Sequence, residues 1–342
     1  MTMKPPEIHE ARLVDLPLVR RLAEDGIVLD SELLCTRETM GASNVILSHL
    51  LPQRGVTTLV GRVGDQRSMG QFRLRSEGHL AQMVFIAPTP PPGSKDTPLL
   101  HLLDAIAFEA GKRGAHMVMA EVDVDSPLFE TLRTANFAVY ARQEIWQWAG
   151  DEDLLNTIVP VPLDDLRGED EIEINALHAA VIPSLIQPVA APSPDSGGWV
   201  YRRDGRLQAH IAFVEGRNGG YIMPFIRPEL SGQEVKRIFA GVVSFANTMA
   251  KTRRTARTPL YVCVRRYQQG LEPALEALGF EPVKPQAVMV RHIAVGIRHP
   301  QFARTYEGLE AIPQSVRPPT RTRITLLSSG ENSSWYGTTH NR

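Results

Sequence analysis

Glu121, Asp123 and Asp125 alternate, so a strand holding all three projects three carboxylates on one face. Acids placed in this way can bind an amine or take a proton from one, and Glu121 is the first candidate for a catalytic base. The same spacing also suits a strand that runs out into a polar loop and a helix cap. A second group, Gly93, Ser94, Lys95 and Thr97, stands just before an amphipathic helix. Gly93 admits close approach of a phosphate and Lys95 can neutralise it, at a helix N-terminus whose unpaired N–H groups favour anions. The alternative there is a proline-stiffened loop of ordinary turn residues. Metal chemistry has no comparable support. The ten histidines include no H-x-x-x-H or H-x-H pair, and Cys35 and Cys263 sit in no CxxC or Cys/His cluster.

Two sets of elements must position these residues. Alternation from Ile8 to Val14 predicts a strand, and Asp15 and Pro17 open a helix with Leu18, Val19 and Leu22 on one face. Thr57 to Val63, Gly70 to Leu74 and Leu80 to Ile86 read as an antiparallel meander with turns at Gly64-Asp65 and Glu77-Gly78. Pro98 opens a helix striped by Leu99, Leu102, Leu103, Ile106 and Ala107, which leads to a strand from His116 to Val122. Asp125-Ser126-Pro127 signals a helix N-cap, and Ala138 to Trp148 is a final strand.

The chain then says the same thing again. After an acidic linker from Gly150 to about Asp170, whose VPVPL reads as a remnant first strand, Asn175 to Leu185 is helical and Gln187 to Gly198 is a surface loop. A hairpin at Asp204-Gly205 joins Trp199 to Arg203 with Leu207 to Val214, and Tyr221 to Ile226 completes a second meander. A helix from Ser231 to Thr252, a strand from Leu260 to Val264, a helix to Leu278 and a strand from Ala287 to Val295 follow. Ile86-Ala87-Pro88 and Ile226-Arg227-Pro228, then Asn136-Phe137 and Gly279-Phe280, mark the same points of two units roughly 140 residues apart in register. The organisation expected is a first domain over 1–149, a linker over 150–170, a second domain over 171–297 and a disordered tail over 298–342.

A meander followed by helix, strand, helix, a Gly-Phe turn and a strand resembles the GNAT N-acetyltransferase fold, most closely the bacterial proteins with two such domains in one chain. The first copy carries the resemblance in MVFIAP, LLHLLDAIAFEAGKRGAHMVMAEV and LFETLRTANFAVYARQEIWQW, the second in YIMPFIRPELSGQEVKRIFAGVV and PLYVCVRRYQQGLEPALEALGFEPV. It implies a mixed α/β class of α+β character: two tandem GNAT-like domains, each a mixed twisted sheet flanked by helices. It also implies acetyl-CoA or another acyl-CoA as substrate and an amine acceptor, small molecule or peptide. Val84, Phe85 and Ile86, at a splayed strand end, would then align the pantetheine arm and polarise the thioester. The family's phosphate loop, Q/R-x-x-G-x-G/A, is not kept. In the second copy Ser231 replaces the Gln or Arg, and Glu234 and Lys236 replace the glycines, which crowds the phosphate's place. The first copy has an insertion there that contains Gly93 to Thr97. The tyrosine that many such enzymes use as general acid is Leu132 in one copy and Leu275 in the other. Two functions follow: an N-acyltransferase with a degenerate second domain, or a non-catalytic binding or regulatory module that kept the fold.

Lys plus Arg is 37 against 38 for Asp plus Glu, a balance that gives no reason to expect nucleic acid. The basic residues Arg317, Arg321 and Arg323 with Trp335-Tyr336 keep a weaker nucleic-acid reading open. Two cysteines in no cluster suit a reducing, cytoplasmic compartment, and no apolar run reaches the length of a membrane span, so the expectation is a cytoplasmic protein without a membrane partner, with a homodimer as a further option. Trp146 with Trp148, and Tyr221 with Met223, share strand faces and suit either an acceptor pocket or core packing.

Overall fold

A computed structural model of the chain describes residues 6–36, 55–75, 79–92, 97–150, 152–193, 196–253, 259–268 and 270–293. The first half runs β1 (Glu7–Glu10), α1 (Leu16–Leu22), β2 (Ile27–Val28), α2 (Ser31–Thr36), β3 (Val56–Val63), β4 (Gln66–Arg75), β5 (Leu80–Ala87), α3 (Thr97–Lys112), β6 (Met117–Asp123), α4 (Pro127–Thr134) and β7 (Ala138–Trp148). The second half follows with α5 (Glu152–Asn156), β8 (Asp164–Asp165), α6 (Glu171–Val181), α7 (Gln187–Ala190), β9 (Gly197–Arg203), β10 (Arg206–Glu215), β11 (Gly220–Ile226), α8 (Gly232–Arg253), β12 (Leu260–Arg265), α9 (Glu272–Glu276) and β13 (Phe280–His292).

The repeat extends to its caps. A 3-10 turn precedes α1 and another precedes α6, and in each an aspartate closes back on the backbone: Arg12 N donates to Asp15 Oδ2 at 2.9 Å and Arg167 N to Asp170 Oδ2 at 2.9 Å. Ser126 Oγ accepts from Leu128 N at the start of α4. The helices before β7 and β13 both end on a left-handed residue, Asn136 (φ 65°) and Gly279 (φ 78°), each followed by a buried Phe.

All the described strands join one mixed sheet in the order β1-β3-β4-β5-β6-β13-β7-β12-β11-β10-β9-β8, with β2 added against β5. The order is palindromic about the β13/β7 pair, because the halves exchange their last strands. The second half's β13 lies antiparallel to β6, and the first half's β7 lies antiparallel to β12. Burial follows the exchange. Trp146 and Trp148 of β7 pack with Val235, Phe239 and Phe280 of the second half, and Ala287 and Met289 of β13 pack with Leu99, Leu102 and Ile106 of α3. The tryptophan pair is therefore core, as are Tyr221 and Met223.

Several boundaries differ from the sequence reading. The first strand stops at Glu10, and Leu13 and Val14 are exposed. VPVPL is not a strand: Pro160 and Pro162 lack the N–H a ladder needs, and pairing with β9 falls on Asp164 and Asp165 instead. The expected surface loop after Gln187 begins with α7, whose Val189 and Ala190 are buried. The last strand starts at Phe280, seven residues before Ala287, since β7 offers partners from Trp148 onward. The tail lies outside the described residues. No helix among the described residues is long and apolar enough to cross a membrane.

Candidate functional site

Each half contains one parallel strand pair that comes apart after three residues. Leu80 to Gln82 of β5 pair with Met117 to Met119 of β6, and Gly220 to Ile222 of β11 pair with Leu260 to Val262 of β12. Pairing ends there in both, leaving a wedge whose inner backbone groups need partners from elsewhere. These two wedges are places where the sheet can receive something.

In the first wedge the partner is the chain itself. Ile27 pairs with Ile86 and Val28 with Phe85. Leu29 then spans the gap: its N–H donates to the Val84 carbonyl at 2.9 Å, and its carbonyl accepts from Glu121 N at 3.0 Å. Gln82 Nε2 adds a donor to the same carbonyl at 2.8 Å. Leu29 is fully buried. The approach is tight enough to require glycine at position 26, where a Cβ would stand 2.0 Å from the Phe85 ring. Asp30 ends the inserted segment by capping α2, accepting from Leu33 N at 3.1 Å while its other oxygen takes Arg73 at 2.6 Å.

The second wedge is bridged by one side chain. Gln268 Nε2 donates to the Pro224 carbonyl on β11 at 2.6 Å, and its Oε1 accepts from Arg265 N on β12 at 3.4 Å. The helix N-terminus beside it is also taken. Glu234 Oε2 accepts from Ser231 N at 3.1 Å and from Ser231 Oγ at 2.9 Å, while Ser231 Oγ accepts from Glu234 N at 3.3 Å. Arg203 pairs with the other oxygen at 2.7 Å. The Ser231 N–H is the first cause holding the Glu234 carboxyl below its ordinary pKa. A carboxylate thus sits where the α8 N-terminus would hold an outside anion.

The sequence reading left the backbone at Val84, Phe85 and Ile86 free to align a pantetheine arm. In the structure the backbone of all three pairs with Ile27 to Leu29. Glu121 does share their wedge, but it is only 6% exposed and its Oε2 accepts from Ser31 N at 2.8 Å. Gly93, Ser94 and Lys95 lie outside the described residues, and Thr97 is the first residue of α3. Leu132 and Leu275, at the two general-acid positions, are fully buried and hold no proton to give. Asp123 joins Lys284 at 2.9 Å and Gln286 at 3.0 Å. Leu29 and Gln268 were not foreseen. Asp30-Ser31 ahead of Glu32-Leu33-Leu34 is a helix-start signal that locates α2, but nothing in the sequence says that the residues before it enter the sheet.

A polar row crosses the seam between the halves. Asp123, Gln286, Gln143 and Arg265 are direct cross-strand neighbours on β6, β13, β7 and β12. Gln286 Oε1 accepts from Ser31 Oγ at 2.8 Å and from Gln143 Nε2 at 3.2 Å. The thiols of Cys35 and Cys263 are buried near this row, and desolvation raises both, Cys263 to about 11, so neither is a ready nucleophile. In the second half His178 and His210 share a hydrogen bond of 3.0 Å, and burial lowers them to about 4 and about 3. Among the described residues no group of His, Cys, Asp and Glu is placed to hold a metal ion.

No protein-family model and no curated protein matches the chain. Solved structures match it in fold. A GCN5-related N-acetyltransferase from Sphaerobacter thermophilus aligns over 85% of this chain and 97% of its own, at 11% identity and a TM-score of 0.53. A tandem GNAT protein from the clavulanic acid biosynthesis pathway aligns over 84% of this chain and 98% of its own, at 13% identity and a TM-score of 0.52. The chain has the GNAT N-acetyltransferase fold.

Proposed function

We propose that the chain is a binding module on an N-acyltransferase fold, with neither wedge built to seat acyl-CoA. The observation that carries this reading is Leu29, whose N–H and carbonyl occupy the Val84 carbonyl and the Glu121 amide. Those are strand groups that an acyl-CoA arm would need. The second wedge supports the same reading, with Gln268 across it and Glu234 on the helix N-terminus. As they stand, the described residues of the two wedges do not fit the cofactor. Titration calorimetry of the full chain with acetyl-CoA and with CoA tests this. The expected result is no saturable heat at millimolar ligand, and saturable binding would overturn it.

One observation favours a second reading, acyl transfer from acetyl-CoA or another acyl-CoA to a small-molecule or peptide amine. Ile27 to Leu29 fill the first wedge through backbone hydrogen bonds, which the amides of a pantetheine arm can replace in kind. Withdrawal of this segment would return Val84, Phe85 and Ile86 to a ligand, leave Gly93, Ser94, Lys95 and Thr97 as the phosphate loop, and release Glu121 from Ser31. Leu29→Pro removes the N–H that holds Val84 and separates the two readings. CoA binding that emerges in the folded variant supports the second, and continued absence of binding supports the first.

A further inference from the structure

Arg265 is a buried cation that lacks a counter-ion among the described residues. It is 2% exposed, and among the described residues no carboxylate lies within ion-pair distance of it. Three partly buried arginines are matched by contrast: Arg73 to Asp30 at 2.6 Å, Arg202 to Asp170 at 2.6 Å and Arg203 to Glu234 at 2.7 Å. The guanidinium reaches the Tyr267 hydroxyl and the Cys263 thiol, both neutral, while Nε and Nη1 have no hydrogen-bond partner and neither does Oε1 of Gln143, the cross-strand neighbour of Arg265. A guanidinium does not shed its proton at accessible pH, so it cannot relieve its burial by neutralising, and an unpaired buried charge is costly. Glu121 contributes a long-range attraction, but its carboxylate is committed to Ser31 N.

We propose that Arg265 and Tyr267 form a binding site for a small organic monocarboxylate at the seam of the two halves, under α2. The donors are of the right kind: a guanidinium supplies charge-assisted N–H groups and the tyrosine hydroxyl one more. One positive charge, with Glu121 already in its field, suits a monoanion better than a phosphate dianion. Ala141, Ile145, Met223 and Val288 belong to one apolar cluster against which Tyr267 packs, so a carboxylate received here would carry a short hydrocarbon tail. The site does not depend on whether either wedge accepts acyl-CoA.

Thermal unfolding of the full chain is followed in acetate, propionate and butyrate, with chloride and phosphate at matched ionic strength as controls. The expected result is a saturable rise in Tm of ~2–4 °C or more with the carboxylates alone, increasing with tail length. Arg265→Met removes the charge at similar volume and abolishes the rise. If that variant does not fold, Tyr267→Phe decides, and its Tm rise at a given carboxylate concentration is smaller than wild type. Equal shifts with chloride or phosphate, no shift at all, or an undiminished carboxylate response in the variant that folds would each overturn the site.

Discussion

The two wedges begin alike, with three parallel pairs and then a parting of strands, yet they close by different means. In the first a backbone segment enters and satisfies both strands through Leu29, with β2 extending the pairing along β5. In the second no backbone among the described residues enters. The segment after α6 stays on the sheet face, with Ile182 and Ile186 buried among face residues, and a single glutamine side chain crosses the gap. Backbone insertion satisfies several strand groups at once, whereas Gln268 offers one donor and one acceptor. One starting geometry can therefore lose its opening by two independent routes, and a fold match alone does not report which has happened.

Truncations in the two plugs are expected to separate most. Leu29→Ala removes a fully buried side chain and should cost ~2–5 kcal/mol in urea denaturation. Gln268→Ala leaves the Pro224 carbonyl and the Arg265 amide unpaired and should cost ~1–3 kcal/mol. A cost for Leu29→Ala no larger than that for Gln268→Ala would show that the Leu29 side chain adds little to the backbone bonds of the plug.

Acid should act on the second half in particular. His178 and His210 are held at about 4 and about 3, below the ordinary 6.5, because burial disfavours their charged forms. The unfolded chain therefore takes up protons first as pH falls. The stability these histidines contribute is complete above pH 6.5, and it declines as the pH falls toward about 4 and then about 3. His210→Leu should flatten that part of a stability profile, and an unchanged slope below pH 6.5 would reassign the acid sensitivity to other groups.

Smaller effects sharpen the picture at the anchors. Glu121→Ala leaves Ser31 N–H buried without its acceptor and should lower stability by ~1–3 kcal/mol, which marks Glu121 as an anchor of the plug. A wild-type stability would free it for a chemical role. Glu234→Ala breaks the reciprocal cap on α8 and should cost ~1 kcal/mol by the same assay.

Much of the frame was legible in the chain. Turn residues at Gly64-Asp65 and Asp204-Gly205, the helix stripe from Leu99 to Ala107, and the left-handed positions Asn136 and Gly279 fix elements through local backbone chemistry, which sequence carries directly. The strand exchange was not legible. Trp146 and Trp148 are buried by whichever strand lies beside them, and their alternation is the same whether that neighbour belongs to one half or the other. The plug was hidden for a related reason: Leu29 acts through its backbone, which has no residue type. The substitutions Ser231, Glu234 and Lys236 were readable because charge and volume at a helix start have local consequences, and Glu234 does occupy that N-terminus. Arg265 reads as one arginine among several in sequence, since only the folded strands leave its Nε and Nη1 without a partner among the described residues.

The measurement that bears most directly on this account is hydrogen exchange at the Leu29 and Glu121 amides, with and without millimolar acetyl-CoA. Both N–H groups are internal to the filled wedge, so the account predicts strong protection that acetyl-CoA leaves unchanged. Rapid exchange at Leu29, or protection there that falls when acetyl-CoA is added, would contradict it and show a wedge that opens for the ligand.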